Sequence, residues 1–182
     1  MVHYVSDEAA GAGGAPFLSP VEALDDAAVR ALQTARLQQQ MDWLWARSPF
    51  YQRKLRAAGL QPDSIRTPDD LARVPFTTKQ ELRDSLHAAP PFGEHLAAPR
   101  EAVIQMQASS GTTGSPSYVA LTQHDANVWQ ESSARSLFAC GIRPGDLVLH
   151  GFSMSKGFVG GLPIFQAIQY LGAVDIPIGA DG

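Results

Sequence analysis

The chain has 182 residues, 45% of them hydrophobic and 18% charged, with a formal net charge of −4. That length suits one domain of ordinary size, and the composition excludes a disordered or fibrous chain. The mild acidity gives no electrostatic reason to expect nucleic acid or an anionic membrane surface as a partner.

Residues 1 to about 22 are rich in Ala, Gly and Pro, centred on Gly11-Ala12-Gly13-Gly14-Ala15-Pro16. They read as a flexible N-terminal extension with no basic region and apolar core of a secretory leader. Asp25 or Asp26 then caps a helix carrying Val29, Leu32, Leu37, Met41 and Leu44 at near-helical spacing. Pro49 disfavours the α conformation at Ser48, so that helix ends there and Ser48-Pro49 opens a second, closed by Gly59. Trp43, Trp45, Phe50 and Tyr51 cluster at the joint and suggest an aromatic helix–helix contact.

Thr67-Pro68-Asp69-Asp70 opens a short helix, and Thr78-Lys79-Gln80-Glu81 has the spacing of a capping box for a helix to about His87. Lys79 and Arg83 are expected on its solvated face. A proline-rich connection runs from Ala88 to Arg100.

Two strand-like runs follow, Ala102–Gln107 and Ser117–Leu121, separated by Ala108-Ser109-Ser110-Gly111-Thr112-Thr113-Gly114-Ser115-Pro116. Glycines let a backbone approach a ligand, and converging amides and hydroxyls form an anion nest. On spacing alone, a phosphate cradle and a plain mobile turn are equally good readings. The loop is not a Walker motif, since Gly111 and Gly114 are not followed five residues on by Gly-Lys-Ser/Thr. The dinucleotide fingerprint also fails: Pro16 stands where a third glycine would follow Gly11 and Gly13.

Thr122-Gln123-His124-Asp125 caps a helix running to Cys140 and a Gly141 stop. Cys140, the single cysteine, can form no internal disulfide; it reads as a small buried residue and suits a reducing, cytoplasmic setting. Leu147–His150 reads as a short buried strand, Gly157–Leu171 as a helix and Ala173–Ile178 as the next strand. Strand, helix, strand implies a parallel βαβ unit. Glycines, Pro163, Gln166 and Gln169 interrupt the longest apolar stretch, so no membrane span is expected. The five histidines show no metal-ligand spacing, and no metal site is expected among these residues. The fold class is α/β: a helical first half, a glycine-rich hairpin loop, then a βαβ unit of an incomplete three-layer α/β/α domain.

The glycine-rich loop is similar to the phosphate-binding signature of the adenylate-forming superfamily. Ser48-Pro49-Phe50-Tyr51-Gln52-Arg53-Lys54, Leu71 to Lys79, Pro91-Phe92-Gly93 and Pro99-Arg100-Glu101, in that order before the loop, resemble the phenylacetate-CoA ligase family. The likeness runs from about Leu37 to Pro177. It implies an ATP-dependent acid:CoA ligase that adenylates a small, aryl-type carboxylic acid and passes the acyl group to coenzyme A, with ATP, Mg²⁺ and coenzyme A required. Carried over residue by residue, Ser109, Ser110, Gly111, Thr112, Thr113 and Gly114 would hold the ATP phosphates. His150, Phe152, Phe158 and Gly160 would line the acyl pocket, and Lys156 could meet a carboxylate. Core packing is an equally good reading of these pocket residues, and a core histidine the better one for His150. The family's loop lysine is replaced by Ser115 or Ser117, which implies weaker ATP binding. Ser153 and Ser155 stand where phenylacetate ligases tend to carry tyrosine, which argues against phenylacetate itself.

Family members are more than twice this length, and their adenine, ribose, Mg²⁺ and C-terminal lysine motifs are not found here. Residues 23–182 are therefore expected to be part of a large N-terminal domain without its small C-terminal domain, and to lack turnover alone. Catalytic residues are not identifiable in this stretch. The alternative is a non-catalytic remnant serving as a nucleotide-binding or interaction module, self-associating through an open sheet edge.

Overall fold

A computed structural model describes residues 17–109 and 117–179, without the side chain of Lys156. Among these, α1 (Asp26–Arg47), α2 (Pro49–Ala57) and α3 (Lys79–Ala88) precede β1 (Val103–Ala108) and β2 (Tyr118–Thr122). Then come α4 (Gln123–Ala139), β3 (Leu147–His150), α5 (Leu162–Tyr170) and β4 (Val174–Pro177). The sequence 1–16, centre of the expected extension, lies outside the described residues. Of the rest of that extension, Pro20–Ala23 form a 3₁₀ turn and Leu18 packs against the cluster between α4 and α5.

The caps are where side-chain chemistry places them. The Asp25 carboxylate accepts from Ala28 N–H, and Ser48 Oγ accepts from Tyr51 N–H at 3.3 Å. Thr78 and Glu81 form a reciprocal capping box at α3, as Thr122 and Asp125 do at α4. Lys54 pairs with Glu81 and ties α2 to α3. That ammonium, followed by the Thr78 donors, holds the Glu81 carboxyl down at about 2. The Thr67 opening yields a 3₁₀ helix, Pro68–Arg73, whose Asp70 carboxylate accepts from Thr67 and Arg66 N–H.

Met41, Leu55, Leu60 and Ile65 form the first core, with Leu37, Trp45, Tyr51 and Val74 against it. The expected aromatic joint is partly realised: Phe50 and Tyr51 meet edge to face at 5.0 Å. Trp43 stays 46% exposed beneath the Arg47 guanidinium, because its position on α1 faces away from α2. Lys79 and Arg83 are half-buried rather than fully solvated, since the start of α3 docks on α2.

β1 and β2 form an antiparallel hairpin with a bulge between Val103 and Gln105. β3 and β4 pair in parallel, with Leu147 opposite Val174 and Leu149 opposite Ile176, and α5 connects them. Ala134 and Phe138 of α4 pack on Ala167 and Leu171, the second core. No described helix is long and apolar enough to cross a membrane.

Three expectations need correction. β3 is not a buried strand: Leu147 is 71% and Leu149 67% exposed, and the alternation turns only Val148 and His150 inward. The helix expected from Gly157 begins at Leu162, because Gly157 takes φ +66° and Pro163 marks a first helical turn. Cys140 is exposed, since it caps the C-terminus of α4 and lies off its packed face.

Candidate functional site

The glycine-rich loop leaves the end of one hairpin strand and returns on the other. Its residues Ser110, Gly111, Thr112, Thr113 and Gly114 lie outside the described residues, as do Ser115 and Pro116. The root is described. The ladder continues one step past Ala108–Tyr118: Ser109 N–H donates to Ser117 O at 2.9 Å. Ser117 N–H donates to the Ser109 hydroxyl at 3.0 Å instead of to its carbonyl. Ser109 therefore spends an acceptor on closing the loop mouth and keeps its O–H to donate.

Two buried polar atoms at this root lack a hydrogen-bond partner among the described residues: Ser117 Oγ and Gln107 Oε1. A buried unpaired hydroxyl costs free energy until a ligand or water satisfies it. The Ser117 hydroxyl is a donor and suits a phosphate oxygen, so the root fits the phosphate group that the motif implies.

The segment joining β3 to α5 is drawn to the same root. Val159 N–H donates to Ala108 O at 3.0 Å, and Phe158 bridges Ala108 as a parallel neighbour. The half-buried Phe158 ring lies over Gly160, where a Cβ would meet it at 2.5 Å. At Gly161 a Cβ would sit 2.2 Å from the Ser153 carbonyl, so only glycine allows this close return. Ser153 and Ser155 bond each other, Oγ to Oγ at 2.8 Å.

His150 ends β3 and is 2% exposed, enclosed by its own fold. Its Nδ1 lies 3.2 Å from Asp175 Oδ1, within ion-pair reach but off the line of a hydrogen bond. The Phe152 ring, 57% exposed, stands 6.2 Å from the imidazole centroid. The structure thus groups Phe158 and Gly160 beside the loop root, and Phe152 over His150 at the carboxyl end of β3. Among the described residues no group of three His, Cys, Asp or Glu can hold a metal ion.

The sequence pattern does not single out Asp175 as a site residue. The signal it carries is one of pairing: a carboxylate inside the apolar run Ala173-Val174-Asp175-Ile176 must be paired if it faces inward.

The motifs that precede the loop also converge. Ser48 Oγ donates to the carbonyls of Glu94 and His95, each at 3.3 Å, and Phe50 N–H donates to Glu94 O. The Arg100 guanidinium lies 5.6 Å over the Phe92 ring. Ser85 Oγ and His95 Nδ1 are 2.9 Å apart, and burial pushes the His95 imidazole pKa down.

No protein-family model matches the chain. It is 42% identical over 158 residues to the phenylacetate-coenzyme A ligase of Thermus thermophilus, covering 87% of this chain and 34% of that one. To the phenylacetate-coenzyme A ligase of Escherichia coli it is 41% identical over 163 residues, covering 88% and 36%. The chain thus spans about a third of the length of the curated relatives it matches. Among solved structures it superposes on a 2-hydroxyisobutyryl-CoA ligase in complex with 2-HIB-AMP and CoA in the thioesterification state. That match has a TM-score of 0.84 at 33% identity, covering 92% of this chain and 35% of that one. An open conformation of the same ligase gives a TM-score of 0.86 at 30% identity, covering 100% and 41%.

Proposed function

We propose, for a chain that belongs with the N-terminal portion of the phenylacetate-coenzyme A ligase family, that it supplies the phosphate loop and acyl wall of an AMP-forming acid:CoA ligase. The observation that carries this is identity of 37–42% to such ligases over most of the chain, the matched stretch reaching across the glycine-rich loop.

In this reading residues 23–182 are part of the large N-terminal domain. Ser109, Ser110, Gly111, Thr112, Thr113 and Gly114 orient the ATP phosphates with amides and hydroxyls, and Ser117 adds a hydroxyl at the root. The lysine expected after the last glycine is absent, so the cradle works by dipoles and hydroxyls and holds ATP more weakly. Phe152, Phe158 and Gly160 wall the acyl pocket, with His150 behind Phe152. ATP supplies the phosphoryl group to which the acid is joined, Mg²⁺ offsets its charge, and coenzyme A supplies the thiol. The acid is a small, aryl-type carboxylate. A cytoplasmic setting suits these substrates and the unpaired Cys140. Any self-association runs through the open edge of the incomplete sheet.

The test is calorimetric titration of this chain with MgATP. Thr112→Ala combined with Thr113→Ala is expected to weaken binding about tenfold, as loss of one or two charge-assisted hydrogen bonds would. Unchanged affinity would show that the loop is not the cradle. Thioester formation by the 182 residues alone is expected to be absent.

A further inference from the structure

The His150 imidazole and the Asp175 carboxylate are a buried titratable pair that phosphate binding does not use. In the parallel register Val148 lies opposite Asp175 and His150 opposite Pro177, so alternation puts both side chains on the face that α5 covers. They are 1% and 3% exposed. A buried carboxylate is tolerated when it is paired, and among the described residues His150 Nδ1 lies within ion-pair reach of Asp175 Oδ1, 3.2 Å away and off the line of a hydrogen bond. A proton on Nδ1 is the tautomer that a small rotation of the ring would turn into a hydrogen bond to that oxygen.

The same residue fixes the backbone where β3 ends. His150 O accepts from Ile178 N–H at 3.0 Å and from Gly179 N–H at 3.3 Å. Two residues on, Phe152 is largely exposed, its ring tilted 57° to the imidazole. The carboxyl end of a parallel strand is where open α/β sheets bind ligands. A buried imidazole thus forms the platform, and an exposed aromatic ring forms the surface above it.

We propose that Asp175 is a positioning residue: it fixes the His150 imidazole, and through it the Phe152 ring that meets the acyl group of the substrate. What Phe152 meets rests on the acid-ligase reading; the linkage from Asp175 through His150 to Phe152 does not. Loosening the linkage affects the acid and leaves the phosphate loop alone, because ATP is held at the hairpin.

The experiment has two arms. In this chain, nitrogen-15 NMR is expected to show the His150 ring protonated at Nδ1, with a nuclear Overhauser contact to the Phe152 ring. Asp175→Val is expected to lose both while keeping a dispersed spectrum. A wild-type ring protonated at Nε2 alone, or lacking the Phe152 contact, overturns the linkage without any variant having to fold. In the longest natural chain containing these residues, Asp175→Val and Phe152→Ala are each expected to raise KM for the acid about tenfold. KM for ATP and kcat should stay within about twofold, and the double variant should be no worse than about the worse single one. Multiplying effects, or an equal rise in KM for ATP, overturn the proposal. If no acid is activated by the unsubstituted protein, the ligase reading fails and the acyl role of Phe152 falls with it. The NMR arm then still decides the linkage.

Discussion

The helices up to Ala88 and the parallel unit from Leu147 to Pro177 differ in what their apolar side chains face. In the first region Met41, Leu55, Leu60 and Ile65 come from within 25 residues of sequence and close a core among themselves. In the second, α5 covers one face of β3 and β4, while Leu147, Leu149, Val174 and Ile176 point outward. The polarity is inverted as well: the covered face holds the His150–Asp175 pair and the open face is apolar. Parallel strands are normally covered on both faces. The first region therefore closes its apolar core among its own helices, whereas the second leaves an apolar face open.

The largest effect that tests this contrast is expected in the first core. Leu55 is 1% exposed, so Leu55→Ala should cost about 4 kcal/mol in urea unfolding through lost burial and a residual cavity. A much smaller loss would mean that this core is not closed. A smaller effect is expected at the α2–α3 contact. Glu81 has a folded pKa of about 2 against an ordinary 4.5. Its pairing therefore adds stability above about pH 4.5, and that contribution is lost as pH falls toward 2. Glu81→Gln should flatten the fall in melting temperature across that window; an unaltered acid profile would show that the Lys54 pair contributes nothing there. The smallest effect is expected on the open face. Leu149→Ser should change unfolding free energy by less than about 0.5 kcal/mol, since the side chain is 67% exposed. A loss comparable to that at Leu55 would mean the face is covered in solution, and sedimentation would show by what.

The same contrast explains which parts of the fold were legible. Helix starts announced themselves because Asp25, Ser48, Thr78 and Thr122 satisfy backbone donors within four residues of sequence. The strand pairs followed from apolar runs and the intervening helix. Exposure of Leu147 and Leu149 was not legible, because burial depends on what packs against a strand and a short apolar run looks alike in either case. The start of α5 was misplaced because Phe158 is recruited to the edge of β1, a contact across fifty residues of sequence. Of the candidate site, the loop motif and the aromatic positions were readable, while the pairing of His150 with Asp175 needed the β3–β4 register.

The most direct test of the proposed chemistry is acid-dependent exchange of labelled pyrophosphate into ATP by the longest natural chain that contains these residues. A panel of aryl and small hydroxy acids should be used. The expected result is exchange with at least one acid, reduced by Thr112→Ala and Thr113→Ala. Absence of exchange with every acid, from a folded protein that binds MgATP, would contradict it.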